Sequence, residues 1–395
     1  MSKLFEKQAR LMVTYAVMMS LLLPTGKAQA ENGISLSGSG VKSGGMAGVS
    51  IADPQDAIAA ADNPAGMGLV GSRADFDVQL LKPVTDFSYG SHDNVLHTDK
   101  VYPVPSGGIN WQMSPRLTFG VSLFGVGVGT SYGRAALPIK GAGVAKSSLQ
   151  TVIAAPTVTY RLTEHNIIGF SASLAYQRFS ASGAIVPLPD GSLLPLASHG
   201  TSTSFGSGFR VGYIWQPTTA FTFGASYASR IRMGKLSGYR GDLLAASDGR
   251  LDVGEQFGAG VAYHITPAVI VAGDWMRVSY SHTIIGSPQG FAWQNQNFYR
   301  AGISWDINSA WTLRSGYTHG NHPYASAVTA QNLLSAMPIS SSVSVGATYR
   351  ISEKSEVSAD FDYGIPVTLK GTGASAGFDD RTKAAVLGLS FGRHF

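Results

Sequence analysis

The sequence has no cysteine, which excludes disulfide staples, thiolate metal sites and cysteine nucleophiles together. Charge is scarce as well. Asp, Glu, Lys and Arg make up 13% of the 395 residues, about half the usual share of a soluble domain. Apolar residues still reach 44%, too many for a disordered chain. Beyond the first 30 residues there is no apolar run of 18. That excludes membrane-spanning helices, but not a β-barrel, whose strands carry a weaker alternating signal. Walker and dinucleotide-binding loops are also missing.

Residues 1–30 read as a secretory signal. Lys3, Lys7 and Arg10 precede a mostly apolar stretch from Leu11 to Leu23, and Ala28-Gln29-Ala30 offers the small residues a signal peptidase accepts. Removing this leader takes away four bases and one acid. The formal charge then falls from +5 to +2, with 25 bases against 23 acids. A nucleic-acid partner, which needs a basic face, is not expected.

What the chain does have is one repeated theme. From residue 72 onward, segments of about ten residues alternate apolar with small or polar side chains, the period of a strand with two unlike faces. Tyr299, Ala301, Ile303 and Trp305 alternate with Arg300, Gly302, Ser304 and Asp306. Val357, Ala359, Phe361 and Tyr363 alternate with Ser358, Asp360 and Asp362. The pattern predicts strands near 72–88, 104–113, 117–129, 148–161, 165–179, 201–215, 220–229, 252–264, 268–279, 296–306, 311–319, 341–350, 355–364 and 383–395. Fourteen is an even number, as a single-chain bacterial barrel requires.

The connections sharpen this. Short turns such as Ser114-Pro115-Arg116 and Leu162-Thr163-Glu164 alternate strictly with long connections such as 180–200, 230–251 and 320–340. A soluble β-sandwich also alternates its faces, but has no reason to sort loop lengths by parity. Short inner turns and long outer loops are the habit of outer-membrane barrels. The predicted class is all-β: a 14-stranded antiparallel transmembrane β-barrel, residues 72–395, ending in an aromatic, Phe395. Residues 31–71 break the strand pattern, being rich in Gly, Ala and Ser with breakers at Asp53-Pro54 and Asn63-Pro64. Ile51 to Ala61 suits a short helix. A compact segment of this size before the first strand fits inside the barrel as a plug.

Gly33-Ile34-Ser35-Leu36, Gly44-Gly45-Met46-Ala47-Gly48, Ile51-Ala52-Asp53 and Asn63-Pro64-Ala65-Gly66-Met67 follow in order before the first strand. This series resembles the N-terminal hatch of the FadL/TodX-type outer-membrane transporters of long-chain fatty acids and aromatic hydrocarbons. Asn297-Phe298-Tyr299-Arg300-Ala301-Gly302 and Trp311-Thr312-Leu313-Arg314-Ser315-Gly316-Tyr317 look like that family's late strands. The late motif departs after Tyr317, where His319-Gly320-Asn321-His322-Pro323 replaces paired acids and Pro-Val. The resemblance implies a bacterial outer-membrane location and passive uptake of hydrophobic compounds, with no enzyme activity and no cofactor. Partners would be a hydrophobic small molecule, outer-membrane lipid and, during biogenesis, the barrel-assembly machinery; a monomer is expected.

Candidate sites follow from residues and resemblance together. Leu188, Leu193, Leu194 and Leu196 in the third long loop, with Leu236, Leu243 and Leu244 in the fourth, are apolar positions that must pack together or bind something; in the family these loops form a capture groove. Gly125, Gly127 and Gly129 leave one face of the third strand bare, which permits a kink or simply makes room for the plug. The resemblance implies a lateral gate there, bordered by Asn63, Pro64 and Ala65, and an inner pocket at Ile34. Strand phase points Arg210, Arg300 and Arg314 inward, but Asp274, Asp360 and Asp362 as well, so ion pairs across the lumen compete with carboxylate binding. Gly388-Leu389-Ser390-Phe391-Gly392 matches a nucleophile elbow but lies within a strand. His319 and His322 lack a nearby carboxylate to complete a metal site. A surface barrel whose plug never opens is the rival reading.

Overall fold

The computed structural model describes residues 34–187 and 193–395; the leader and Leu188 lie outside them. Fourteen strands form the wall: β1 Arg73–Ser88, β2 Tyr102–Gln112, β3 Leu117–Ser131, β4 Lys146–Arg161, β5 Asn166–Ser182, β6 Thr201–Trp215, β7 Phe221–Ala228, β8 Glu255–Thr266, β9 Val269–Ser279, β10 Gln296–Asp306, β11 Trp311–Gly320, β12 Ser341–Arg350, β13 Ser355–Leu369 and β14 Asp380–His394. Each pairs antiparallel with its neighbours, and β14 returns to β1 with Arg73 opposite His394 and Phe87 opposite Asp380, closing the ring. Two short strands, Val95–Thr98 and Arg232–Met233, add to the rim.

The two faces of the wall differ as the alternation requires. Outward positions such as Phe205, Tyr299, Val345 and Leu389 are 55–74% exposed, as side chains meant for lipid must be. Aromatic neighbours gather near the short turns: Trp215 with Phe223, Phe221 with Tyr263, Trp311 with Tyr349, and Trp111 with Phe395. Inward positions are small or polar because residues 34–71 lie against them. A Cβ on Gly108 would sit 2.0 Å from the Ala57 carbonyl oxygen, one on Gly224 2.3 Å from that of Ile51, and one on Gly316 2.3 Å from the Met46 carbonyl carbon. Only glycine lets the two backbones approach so closely.

Two expectations are corrected. No helix spans Ile51 to Ala61; a single turn of 3-10 helix, Ala59–Ala61, forms there, because Pro54 disfavours helical geometry in the residue before it. The thirteenth strand runs past 364 to Leu369, with a register shift between Gly364 and Val367. Pro366, lacking an N–H, cannot continue the ladder, and the shift lets the strand resume beyond it.

Candidate functional site

The third strand does not behave like the others. Its pairing with β2 runs from Gln112 opposite Thr118 to Gly107 opposite Leu123 and, among the described residues, goes no further. On its other side it stays paired with β4 as far as Ser131 opposite Lys146. From Val126 to Thr130 every residue is buried, so the in–out alternation of a lipid-facing strand is lost and the upper half has turned inward. The seam left open lies between Tyr102–Ser106 and Phe124–Ser131. Above, the Arg134 guanidinium donates to the Val95 carbonyl at 2.8 Å, and the Asn94 amide to the Ala136 carbonyl at 2.9 Å. We call this unpaired stretch, bounded above by the loop contacts, the window.

Glycine makes this possible in two ways. At Gly129 an added Cβ would lie 2.7 Å from the Ser147 oxygen and 3.0 Å from the Ser148 Cα, so the strand needs glycine to approach β4. At Gly125 an added Cβ would meet only ordinary contacts at 3.8 Å, one of them Val104 Cγ1 across the open seam. Gly127 turns its N–H to the start of the hatch, donating to the Ile34 carbonyl at 2.6 Å. Ile34 thus takes a hydrogen bond on the side of β3 left unpaired by β2.

Asn63, Pro64 and Ala65 make their hydrogen bonds and close contacts chiefly with the strands that follow β3. The Asn63 amide donates to the carbonyls of Ile51 (2.8 Å) and Tyr213 (3.2 Å), and its oxygen caps the turn by accepting from the Ala65 N–H. Thr159 donates to the Pro64 carbonyl at 2.8 Å, and Gly169 and Gly212 leave space against Ala65 and Asn63. This trio is keyed into β4, β5 and β6. The turn reaches β3 through Met67, beside Gly120, below the break.

The inward arginines are anchors for the hatch. Arg210 donates to the Asp62 carbonyl (3.1 Å) and to Gln256 (2.8 Å), Arg300 to the Gly48 carbonyl (2.9 Å), and Arg314 to Gln55 and Thr348 (2.5 and 2.7 Å). Each of the three arginines thus donates at least one hydrogen bond to a hatch group. Carboxylates do the complementary work. Asp274 accepts from the N–H groups of Ser50 and Ile51 (2.8 and 3.0 Å), Asp77 from that of Val41 (2.7 Å), and Asp75 from that of Ala57 (2.9 Å). Lys42 of the hatch pairs with Glu356 of β13. Burial raises the carboxyls of Asp53 and Asp56 above their usual range, helped at Asp56 by neighbouring Asp75 and opposed by Lys42 and Arg73; Arg314 opposes the shift at Asp53.

Two cavities border the Ile34–Ser39 segment of the hatch. The outer one, about 590 Å³, lies among the loops and includes Leu194, Leu196 and Leu243 in its lining. Ile34 forms part of its floor. Leu236 and Leu244 are instead wholly buried, close to Tyr239, whose backbone is hydrogen-bonded to both. For Leu193 only the backbone placement is described, opposite Pro187. Sequence reasoning missed Phe291, Trp293, Leu333 and Leu334, from the later loops, and Val128, Leu149 and Phe179 from the strand tops. The aromatic pair in 291–293 was the available signal. The inner cavity, about 60 Å³, is bordered by Ser35–Ser39, Asp62, Arg210, Arg300 and, from the window's edges, Val104, Ser106, Phe124, Gly125 and Val126.

Among the described lining residues of the outer cavity there is no Lys, Arg or His. The charged group is Asp242, whose carboxylate is 2.6 Å from His199 Nε2 and so ties the third loop to the fourth. His319 contacts Ser341 at 2.8 Å, and His322 the Pro338 carbonyl at 2.7 Å, so each is used within its own pair of strands.

The sequence profile described as outer membrane protein transport protein (OMPP1/FadL/TodX) matches residues 23–266, more than half the chain. Among solved structures, a FadL homologue from Pseudomonas aeruginosa is 15% identical, with a TM-score of 0.69 over 94% of this chain and 99% of that one. The toluene transporter TodX of Pseudomonas putida is 17% identical, with a TM-score of 0.68 over 91% and 99%. The toluene transporter TbuX of Ralstonia pickettii is 17% identical, with a TM-score of 0.64 over 91% and 99%. At such identities the likeness establishes the fold. No curated protein sequence is recognisably similar. A closed fourteen-stranded barrel that matches this profile is a protein of the bacterial outer membrane, and its kin are transporters rather than enzymes. The chain belongs to the OMPP1/FadL/TodX family of outer-membrane transport proteins.

Proposed function

We propose that the chain carries uncharged hydrophobic compounds passively from the cell exterior into the outer membrane, taking them up in the outer cavity and releasing them sideways through the window in β3. The observation that carries this is the seam between β2 and β3, open beyond Gly107 and Leu123, with a cavity directly behind it. Aqueous passage offers an apolar solute nothing, whereas apolar walls and a lateral exit into lipid lower its free energy at each step.

Magnitudes favour the side exit over a route through the plug. Charge-assisted bonds from Asp75, Asp77, Asp274, Arg210 and Arg300 fix the hatch. At about 1.5–3 kcal/mol each, releasing them together costs on the order of 10 kcal/mol. The Ile34 segment beside the window is held, among other contacts, by neutral hydrogen bonds, Gly127 N–H to the Ile34 carbonyl and Ser37 Oγ with Ser342 Oγ at 3.3 Å, worth about 1 kcal/mol each. The working units are accordingly a hatch, residues 31–71, that stays seated, and a barrel, residues 72–395, inserted by the assembly machinery and functioning as a monomer.

The substrate class rests on the outer lining. A carboxylate buried there would find no described cation and one acid, Asp242, and an unpaired buried charge is costly. Arg210 and Arg300 lie below the Ile34 floor and are engaged by the hatch. Neutral hydrocarbons therefore fit better than fatty-acid anions. Uptake of radiolabelled toluene and oleate by cells with and without the gene tests this. The expected result is toluene uptake that depends on the gene and oleate uptake that does not. Normal uptake of every neutral hydrophobic compound in the deletion strain would favour a permanently closed surface barrel.

A further inference from the structure

The outer face of the wall carries a separate feature where β14 closes on β1. Along this seam Phe76 lies opposite Phe391, Val78 opposite Leu389 and Leu80 opposite Leu387. Above these apolar rungs the chemistry changes. Lys82 lies opposite Ala385, Lys383 opposite Val84, and Arg381 opposite Asp86. Alternation turns all three cations outward, and all three are exposed.

Their height follows from the register. Tyr363 of β13 pairs with Ala385 and so shares the rung of Lys82. It is an outward, exposed aromatic, the residue type that marks a membrane interface. Lys82 therefore stands at the top of the hydrocarbon belt. Lys383 and Arg381 are one and two rungs higher, each rung about 7 Å along the strand, which is the level of lipid headgroups.

Among the described residues these cations make no ion pair within the protein, although Asp86 stands opposite Arg381 on the ladder. Among the described residues no ion pair or side-chain hydrogen bond engages Lys82, Lys383 or Arg381. The acid on the same ladder, Asp86, is 2.7 Å from His97 Nδ1. Clustered cations at the edge of hydrocarbon are unfavourable unless the surroundings supply anions.

We infer that this ladder binds a phosphorylated glycolipid of the outer leaflet, with phosphate oxygens shared among Lys82, Arg381 and Lys383. Its acyl chains lie along Leu80, Leu387 and Leu389. Arginine at the upper position suits bidentate phosphate contact, and the lysines act as point charges below it. The site is independent of the transport reading, since the seam between β1 and β14 is paired throughout and does not border the window.

The test uses the full protein in detergent, with a diphosphorylated glucosamine-disaccharide lipid and its dephosphorylated counterpart, binding being read by native mass spectrometry. The wild type should retain the phosphorylated lipid strongly and the dephosphorylated one weakly. Combining Lys82→Gln, Arg381→Gln and Lys383→Gln should weaken the phosphorylated complex on the order of a hundredfold, three cations near an anionic headgroup being lost. Lys383→Gln alone should weaken it about fivefold; it carries the test if the triple variant fails to show the heat-modifiable band of a folded barrel. Equal retention of both lipids, or unchanged binding by the folded variants, would overturn the assignment. Displacement by millimolar inorganic phosphate would also overturn it, in favour of a simple anion site.

Discussion

Two seams of the same barrel, two strands apart, show how a closed wall differs from an unpaired one. Between β14 and β1 the register runs unbroken from Arg73 opposite His394 to Phe87 opposite Asp380. Between β2 and β3 it stops at Gly107 opposite Leu123. Backbone groups freed at the second seam must find other partners, and at Gly127 the partner is the Ile34 carbonyl of the hatch. The part of the hatch beside the opening is held by neutral hydrogen bonds such as this one and that of Ser37 with Ser342, while its remainder is fixed to the wall by buried carboxylates and guanidinium groups. On the proposed function this is a division of labour, in which the plug stays seated and the Ile34–Ser39 segment acts as the cover.

This contrast can be broken or sharpened at chosen residues. Gly129→Val attacks the paired edge of β3, where the new side chain meets backbone atoms of Ser147 and Ser148 at 2.7–3.0 Å. The expected outcome is failed assembly, read as loss of the heat-modifiable folded band. Asp274→Ala strands the N–H groups of Ser50 and Ile51. A cost of about 2–5 kcal/mol is expected, seen as a lower thermal midpoint and as new permeability to small hydrophilic antibiotics. Gly125→Phe differs from both, because the site has room toward Val104. The barrel should assemble normally while hydrocarbon uptake falls at least about tenfold, the window being filled; unchanged uptake would remove Gly125 from the exit. The smallest effect is expected at Leu243→Asp. A second acid in the outer cavity should raise the half-saturating hydrocarbon concentration several-fold, with the maximal rate unchanged; a fall in the maximal rate alone would place Leu243 outside capture.

Much of this architecture was legible before any coordinates. Alternation located all fourteen strands to within a few residues, because lipid outside and hatch inside impose opposite demands on successive positions. The sorting of loop lengths marks one rim for short turns and the other for long loops. The open seam was visible only as Gly125, Gly127 and Gly129, since a glycine that permits an inward turn and one that makes room for a neighbour look alike in sequence. Loop residues were harder still. Leu194, Leu196 and Leu243 line the cavity but Leu236 and Leu244 do not, and no periodicity separates them, because irregular segments bury side chains by tertiary contact alone. The roles of Arg210, Arg300 and Arg314 depended on which hatch carbonyl or amide lay within reach, which strand phase cannot tell. The resemblance singles out Asn63, yet its partners on β6 and at Ile51 emerge only from the folded chain.

The absence of native cysteine allows the central claim to be tested with one engineered pair. A Cβ at position 125 lies 3.8 Å from Val104 Cγ1 across the open seam, within reach of a cystine linking Val104→Cys to Gly125→Cys. Toluene uptake should be lost when this disulfide forms and return when it is reduced, with no change in the amount of folded barrel. Equal uptake by the oxidised and reduced forms would contradict release through the side of the barrel.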